Sequence, residues 1–475
     1  MGCMGDAYDV VVIGAGSTGE NVADRAVRGG LTAVMVEAEL IGGDCSYWAC
    51  MPSKVLLRGP EALAAARAIP GAAGAVTGGV DAAATLRRRD AFAAHWSDTG
   101  QVEWARSRGI DVVRGRGRVT GPRRVLVTGA EGDRDLTARH AVAVCTGSVP
   151  ALPPIDGLAD ARPWTTREAT SAQEIPASMI VLGGGAAGCE LATAYAALGA
   201  HVSIVEAADR LLPNMEAFAG ELVEAALRDR GVDVRTGTRV TAVGRDGDGP
   251  TTVFTTGGDL GAQVLLVSTG RRPRLDGLGL DAFGLSEAAW LPVDDTCRVA
   301  GVDDGWLYAV GDVNGRHLFT HQGKYQARLC GDAIVAAAHG QPIDTTDWSA
   351  HAATADRLAA PAVVFTDPQV ATVGRTQAQA AADGLDTRAV DYEIGSVAGA
   401  ALRADGYTGH ARIIVDTARR VIVGATLVGP DVGELIHSAT IAIVGEVPLE
   451  RLWHAVPAYP TVSEIWLRLL EAYGL

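Results

Sequence analysis

Two cysteines and a lysine share one short segment, Gly42-Gly43-Asp44-Cys45-Ser46-Tyr47-Trp48-Ala49-Cys50-Met51-Pro52-Ser53-Lys54. Thiols this close can bind metal, form a structural bridge or exchange electrons. No second ligand pair follows at a zinc-site spacing, so metal is not indicated. In a regular helix, residues five apart have Cα atoms about 8.6 Å apart. A disulfide reaches only about 7 Å, so a Cys45–Cys50 bridge requires a distorted helical turn. Strained bridges are the reducible ones, and the spacing therefore points to a redox disulfide. The other cysteines, Cys3, Cys145, Cys189, Cys297 and Cys330, are isolated and read as small buried thiols. An odd count of seven cysteines is not a secreted disulfide framework.

Lysine is otherwise nearly absent. Of 41 basic residues, 39 are arginines, and the two lysines are Lys54 and Lys324. GC-rich codon usage accounts for the bias. The two survivors are candidates for sites where a compact ammonium cannot be exchanged for a planar guanidinium.

Such groups need elements to hold them, and the sequence supplies two copies of one unit. Asp9–Ile13 reads as a buried strand running into Gly14-Ala15-Gly16-Ser17-Thr18-Gly19, a helix over Glu20–Arg28, and a second strand, Thr32–Val36, ending at Glu37. Met179–Leu182 repeats the strand, Gly183-Gly184-Gly185-Ala186-Ala187-Gly188 the turn, Glu190–Leu198 the helix, and His201–Val205 the strand ending at Glu206. First glycine to acid spans 23 positions in both copies, 14 to 37 and 183 to 206. This is the dinucleotide fingerprint: glycines for the turn, a helix N-terminus for pyrophosphate, an acid for the ribose hydroxyls. Two such units imply two dinucleotides. Glu206 would repel a 2′-phosphate, so NAD(H) is expected over NADP(H) at the second.

Two further strands, Val142–Cys145 and Leu265–Ser268, end in Thr146-Gly147 and Thr269-Gly270, and Leu307–Val310 ends in Gly311-Asp312. Pro150, Pro153 and Pro154 mark a crossover. From Pro361 the pattern becomes short strands, Ile413–Val415 and Val421–Val423, with helices near Val432–Val444 and Val462–Tyr473. That predicts a separate α+β domain. The expected fold is α/β, with two Rossmann-like dinucleotide-binding domains and a C-terminal α+β domain. A chain of 475 residues needs several cores. A formal charge of −15 argues against a nucleic-acid or anionic-membrane partner. No run is long enough to span a membrane, and Met1–Asp9 has no basic leader, so the expectation is a cytoplasmic enzyme.

Over essentially its whole length the chain resembles the flavin-dependent pyridine nucleotide–disulfide oxidoreductases of the dihydrolipoamide dehydrogenase, glutathione reductase and mercuric reductase group. The resemblance is carried by both fingerprints, Cys45-x4-Cys50 with Pro52-Ser53-Lys54, the two Thr-Gly turns, Gly311-Asp312, Phe365-Thr366-Asp367-Pro368 and Tyr459-Pro460-Thr461-Val462-Ser463-Glu464. It implies FAD at Gly14, Gly16, Gly19, Glu37, Gly43, Lys54, Thr146, Gly147 and Asp312, and NAD(H) at Gly183, Gly185, Gly188, Glu206 and Gly270. It implies residues 1–150 and 272–346 as the FAD-binding and central parts, 151–271 as the NAD(H)-binding domain, and 347–475 as a dimerisation domain. Lys54 would pair with Glu190 near the flavin, where a fixed cation favours flavin that has accepted a hydride. Cys50 would face the flavin and Cys45 the substrate. The helix from Thr320 and His321 would aim its dipole at the flavin pyrimidine. The implied assembly is a homodimer in which Tyr459 and Glu464 complete the partner subunit's site.

Two departures bear on the acceptor. Family members that reduce disulfides carry a histidine where this chain has Tyr459, while Glu464 keeps its place. A phenol titrates near ~10 against ~6.5 for imidazole, so about one in a thousand is ionised at neutral pH. Loss of a general base typically costs about 10²–10⁴ in rate. His454, five residues earlier, is a candidate substitute. Tyr47 and Trp48 also replace smaller residues between the cysteines. They either pack inward or, with Tyr459, form an aromatic mouth suited to a flat or quinone acceptor. The C-terminal cysteine pair of mercuric reductases is lacking, and mercury reduction is not expected. The predicted reaction takes electrons from NADH through FAD and Cys45–Cys50 to a small disulfide. The rival is a quinone reductase or diaphorase drawing directly on FAD.

Overall fold

The strand Asp6–Ile13 is flanked by parallel neighbours, Ala33–Glu37 on one side and Gly132–Val144 on the other. Ile110–Arg114 extends the sheet beyond Ala33–Glu37, and Leu307–Ala309 pairs in parallel with the end of Gly132–Val144. Val10, Val11 and Val12 are fully buried because the sheet is covered on both faces, which is why the run is continuously apolar. The computed structural model describes residues 6–247 and 249–475, so Cys3 lies outside the described residues.

The predicted strand Val142–Cys145 is the end of a 13-residue strand whose start turns back into an antiparallel meander, Arg116–Gly121 and Arg124–Gly129. The first fingerprint helix begins at Ser17, earlier than predicted, because extended Gly16 serves as its N-cap. The chain divides into two compact units, each assembled from three separate segments. One comprises Met1–Met51, Asp90–Ala151 and Gly270–Asp356; the other comprises Pro52–Arg89, Leu152–Thr269 and Arg357–Leu475.

In the second unit, four parallel strands run in the order Asp233–Arg235, His201–Val205, Ser178–Leu182, Val264–Val267. Five antiparallel strands form another of its sheets: Pro361–Val364, Gln369–Gly374, Val421–Gly429, His410–Asp416 and Thr387–Glu393. One apolar core joins them, since Val364, Val370 and Val428 pack with Val181, Ile204 and Leu266. No helix among the described residues is long and apolar enough to cross a membrane.

Arg89 is fully buried in this unit and donates to the carbonyls of Thr170 at 2.6 Å and Ala172 at 2.7 Å. Replacing it strands two carbonyl oxygens and leaves a void. Arg89→Ala is expected to destabilise the protein by about 3 kcal/mol, read as a lowered urea midpoint; an unchanged midpoint would contradict this.

Candidate active site

Each fingerprint loop is closed against its own neighbours and open toward a ligand. Gly14 has φ +99°, and a Cβ there would lie 2.5 Å from the Cys145 carbonyl oxygen. A Cβ on Gly19 would strike the Gly14 carbonyl. At the middle glycine, Gly16, it would meet only the Gly43 Cα at 3.8 Å. The second loop repeats this: Gly183 is blocked by Ser268, Gly188 by the Gly183 carbonyl, and Gly185 meets nothing within 4 Å. In both loops the middle position leaves the space that a pyrophosphate on a helix N-terminus requires.

The two acids are held alike. Glu37 accepts the Ala15 amide at 2.7 Å and the Glu39 amide at 2.8 Å. Glu206 accepts the Gly184 amide at 2.6 Å and the Ala208 amide at 2.7 Å. Burial raises the Glu37 carboxyl above its ordinary value. Each carboxylate oxygen keeps a second lone pair for a ribose hydroxyl.

Three of the remaining expected FAD contacts, Thr146, Gly147 and Asp312, lie in the first unit. Thr146 Oγ1 is buried without a hydrogen-bond partner, and the adjacent Gly147, at φ +74°, faces open space. An unsatisfied buried hydroxyl fits a bound polar group. Ser148 donates to Asp312 at 2.6 Å, and Arg271 Nε donates to the Ser148 hydroxyl at 2.6 Å. Burial raises the Asp312 carboxyl, opposed by Ser148 and Arg271. Gly270, at φ +140°, also faces open space. These residues fit FAD and a nicotinamide nucleotide.

The cysteine segment breaks where its spacing requires. One helix runs Gly43–Tyr47, the next Cys50–Arg67, and Trp48 interrupts them with φ −138°. Both cysteines are half-buried free thiols, and a hydrogen bond joins them. Cys50 Sγ lies 3.3 Å from the hydroxyl of Thr320, the first residue of the helix Thr320–Ala338. The hydrogen bond to Cys50 and burial push the Cys45 thiol up, while Thr320 and Lys324 oppose them.

Tyr47 is buried, its hydroxyl donating to the Ile41 carbonyl at 3.0 Å. It packs inward and lines no mouth, the first of the two alternatives that the sequence left open at this residue. Trp48 is half-buried against it, with ring centroids 5.6 Å apart.

In the second unit, Lys54 and Glu190 form an ion pair at 2.7 Å. Phe365 encloses it: its amide donates to the other Glu190 oxygen at 2.9 Å, and its ring lies 4.8 Å below the ammonium. Sequence reasoning saw Phe365 only as part of a motif. It also missed the buried set that anchors the helix from Thr320, in which Gln322 and Gln326 donate to Asp356 at 2.9 and 2.8 Å. Gln326 in turn accepts the Gly311 amide at 2.8 Å, next to Asp312.

Tyr459 and Glu464 differ in their surroundings. Tyr459 is 76% exposed, whereas Glu464 is buried and accepts from Arg468 at 2.7 Å. The second Glu464 oxygen, Oε2, is buried without a hydrogen-bond partner. His454 is exposed. His321 is exposed and stacks on Phe319, with centroids 5.3 Å apart.

Residues 8–340 match the family described as "Pyridine nucleotide-disulphide oxidoreductase", and residues 360–469 match its dimerisation domain. The dihydrolipoyl dehydrogenase of Chlorobaculum tepidum is 32% identical over 96% of this chain and 95% of its own. The mercuric reductase of Acidithiobacillus ferrooxidans is 32% identical over 97% of this chain and 81% of its own. Two solved structures share the fold at 24% identity. One is a Cu(II) complex of the HOCl-induced flavoprotein disulfide reductase RclA from Escherichia coli, with TM-score 0.83 over 98% of this chain and 99% of that one. The other is LpdA from Mycobacterium tuberculosis, with TM-score 0.82 over 99% and 100%. The chain therefore belongs to the pyridine nucleotide–disulphide oxidoreductases, as an FAD-dependent enzyme with a pyridine nucleotide as electron donor and the family's dimerisation domain near its C-terminal end.

Proposed function

We propose that this enzyme takes electrons from NADH and delivers them, through FAD and the Cys45–Cys50 pair, to a small disulfide. The observation that supports this most is the contact between the two thiols, which the helix interruption at Trp48 permits. Bound flavin supplies two-electron chemistry between the nicotinamide and the sulfur pair. The chain's residues do the rest. Two electrons and one proton open the disulfide to a thiol and a thiolate. Cys45, as thiolate, attacks one acceptor sulfur, forming a mixed disulfide and releasing the first acceptor thiolate. Cys50 then gives its proton to the first released thiolate and attacks the Cys45 sulfur, releasing the second thiolate and restoring the internal disulfide. Lys54, fixed by Glu190 and Phe365, supplies a cation one helical turn beyond Cys50.

In this reading FAD lies on Gly14, Gly16, Gly19, Glu37, Gly43, Lys54, Thr146, Gly147 and Asp312, in segments 1–150 and 272–346. Segment 151–271 binds NAD(H), and 347–475 makes a homodimer in which Tyr459 and Glu464 face the partner's cysteines. Large apolar side chains left exposed in that last segment, among them Ile441, Leu402 and Val456, favour such an interface. The enzyme would work in the cytoplasm. The test is anaerobic NADH consumption with an aryl disulfide as acceptor: one disulfide reduced per NADH supports the proposal, and no turnover contradicts it.

Glu206 sets the donor. Its carboxylate, fixed by two amides, would face a 2′-phosphate with like charge. NADH is expected to exceed NADPH in kcat/KM by about 10²-fold, and Glu206→Ser to narrow that ratio about tenfold. Initial rates with both nucleotides decide; a preference for NADPH would contradict it.

A second reading, reduction of a quinone directly from FAD, is favoured by one observation. The position where the family carries a histidine holds an exposed phenol.

A further inference from the structure

Cys45 stands on a helix of a single turn. Gly43–Tyr47 has five residues, entered through Gly42 at φ +110° and left at Trp48, where the helix is interrupted. A helix this short does not hold itself in place, so the position of Cys45 depends on what grips the turn. At its end the Tyr47 hydroxyl donates to the Ile41 carbonyl at 3.0 Å. At its start Asp44, the residue before Cys45, meets Arg271 Nη2 at 3.4 Å.

That ion pair is partly exposed, and by itself it would be worth little. Arg271, however, is anchored elsewhere. Its strand, Arg271–Pro273, pairs antiparallel with Ser148–Pro150. Its guanidinium holds Ser148 twice, Nε donating to the hydroxyl at 2.6 Å and Nη2 to the carbonyl at 2.8 Å. The fork is thereby fixed before Asp44 meets it, and little side-chain entropy remains to be lost. Ser148 is buried, and its hydroxyl donates in turn to Asp312 at 2.6 Å. The result is a chain with a carboxylate at each end, Asp44 and Asp312, and the Arg271 cation between them. Cys50 is held separately, 3.3 Å from the Thr320 hydroxyl. All of these residues belong to the first unit.

We propose that Arg271 is a positioning residue for the redox pair: anchored on Ser148 and gripping Asp44, it holds the turn that carries Cys45 against Cys50. The proposal rests on the reading of Cys45 and Cys50 as that pair. Thiols held in contact close a bridge more readily than thiols that drift, because the entropy of bringing them together is lost in advance. Lysine could not serve at position 271, since a point charge on a flexible stem has no fork to span Ser148 and Asp44.

The test is the thiol–disulfide equilibrium of the holoenzyme in anaerobic glutathione buffers. One glutathione disulfide takes two electrons from the dithiol, leaving the Cys45–Cys50 bridge and two glutathione thiols. Alkylation and peptide mass spectrometry give the bridged fraction. Arg271→Met is expected to lower the equilibrium constant for the bridge about tenfold, raising the potential of the pair by about 30 mV. Asp44→Ala, which leaves Arg271, Ser148 and Asp312 joined, is expected to lower it by a similar factor while retaining FAD. An unchanged or raised constant in either variant would overturn the proposal. Arg271→Lys is expected to match Arg271→Met; a return to the parent value would show that charge alone suffices, and would overturn it too. Where Arg271→Met fails to retain FAD, Asp44→Ala decides alone: a fall supports, and no change or a rise overturns. A parent enzyme that forms no bridge in oxidised glutathione would remove the reading of the pair and this proposal together. Because the buffer sets the pair, failure of NADH to drive turnover would leave these constants unaltered and count against the proposed reaction alone.

Discussion

Cys45→Ser is expected to lower NADH-dependent disulfide reduction by about 10³-fold or more, the scale on which removing a covalent nucleophile acts. The loss follows from atoms, since a hydroxyl at position 45 can neither form the mixed disulfide nor close a bridge with Cys50. The variant should keep its FAD, because none of the contacts that shape the Gly14–Gly19 loop involves the Cys45 side chain. It also separates the two readings. An acceptor that draws electrons directly from FAD needs no thiol, so quinone reduction should persist in Cys45→Ser while disulfide reduction vanishes. Parallel assays with an aryl disulfide and a benzoquinone provide the comparison. Undiminished disulfide reduction would contradict the relay.

The second large effect is a gain. Glu464 is buried, one oxygen taken by Arg468 at 2.7 Å and the other, Oε2, without a partner. Imidazoles ordinarily titrate near ~6.5 and phenols near ~10, and an imidazole N–H is a donor of the kind the free Glu464 oxygen accepts. Tyr459→His is therefore expected to raise disulfide reduction at neutral pH by about 10²-fold, the low end of what a general base contributes. The dependence of kcat/KM on pH should gain an inflection close to neutrality. Unchanged rates and an unchanged profile would show that Tyr459 does not occupy the position of a base.

Features set by local sterics were legible in the sequence. Gly14 and Gly183 must be glycine because a carbonyl lies where their Cβ would be, and that constraint writes itself into the chain as a motif. The spacing asked for a distorted helical turn if Cys45 and Cys50 are to bridge, since a regular helix holds them too far apart, and the structure interrupts the helix at Trp48. A helix expected near Val432–Val444 does occupy Val432–Val444. What escaped were contacts between residues distant in sequence. The Phe365 amide reaches Glu190 across 175 positions, and no periodicity encodes it. Gln322, Gln326 and Asp356 read as ordinary helix and loop polar residues until folding buries them together. The antiparallel meander before Val142 was missed because its strands are short and exposed on one face. The inward turn of Tyr47 was one of two open choices, and only the backbone carbonyls of Ile41 and Ser97, meeting its hydroxyl, decide it.

The central claim is that the cysteine pair carries electrons during turnover. An anaerobic NADH titration of the purified enzyme, counting electrons accepted per FAD, tests it most directly, since flavin and disulfide are each two-electron couples. The account predicts uptake of about four electrons per FAD, with a long-wavelength absorbance from a thiolate beside the flavin near the halfway point. Uptake of about two, with immediate bleaching of the flavin, would mean that the pair is silent and would contradict it.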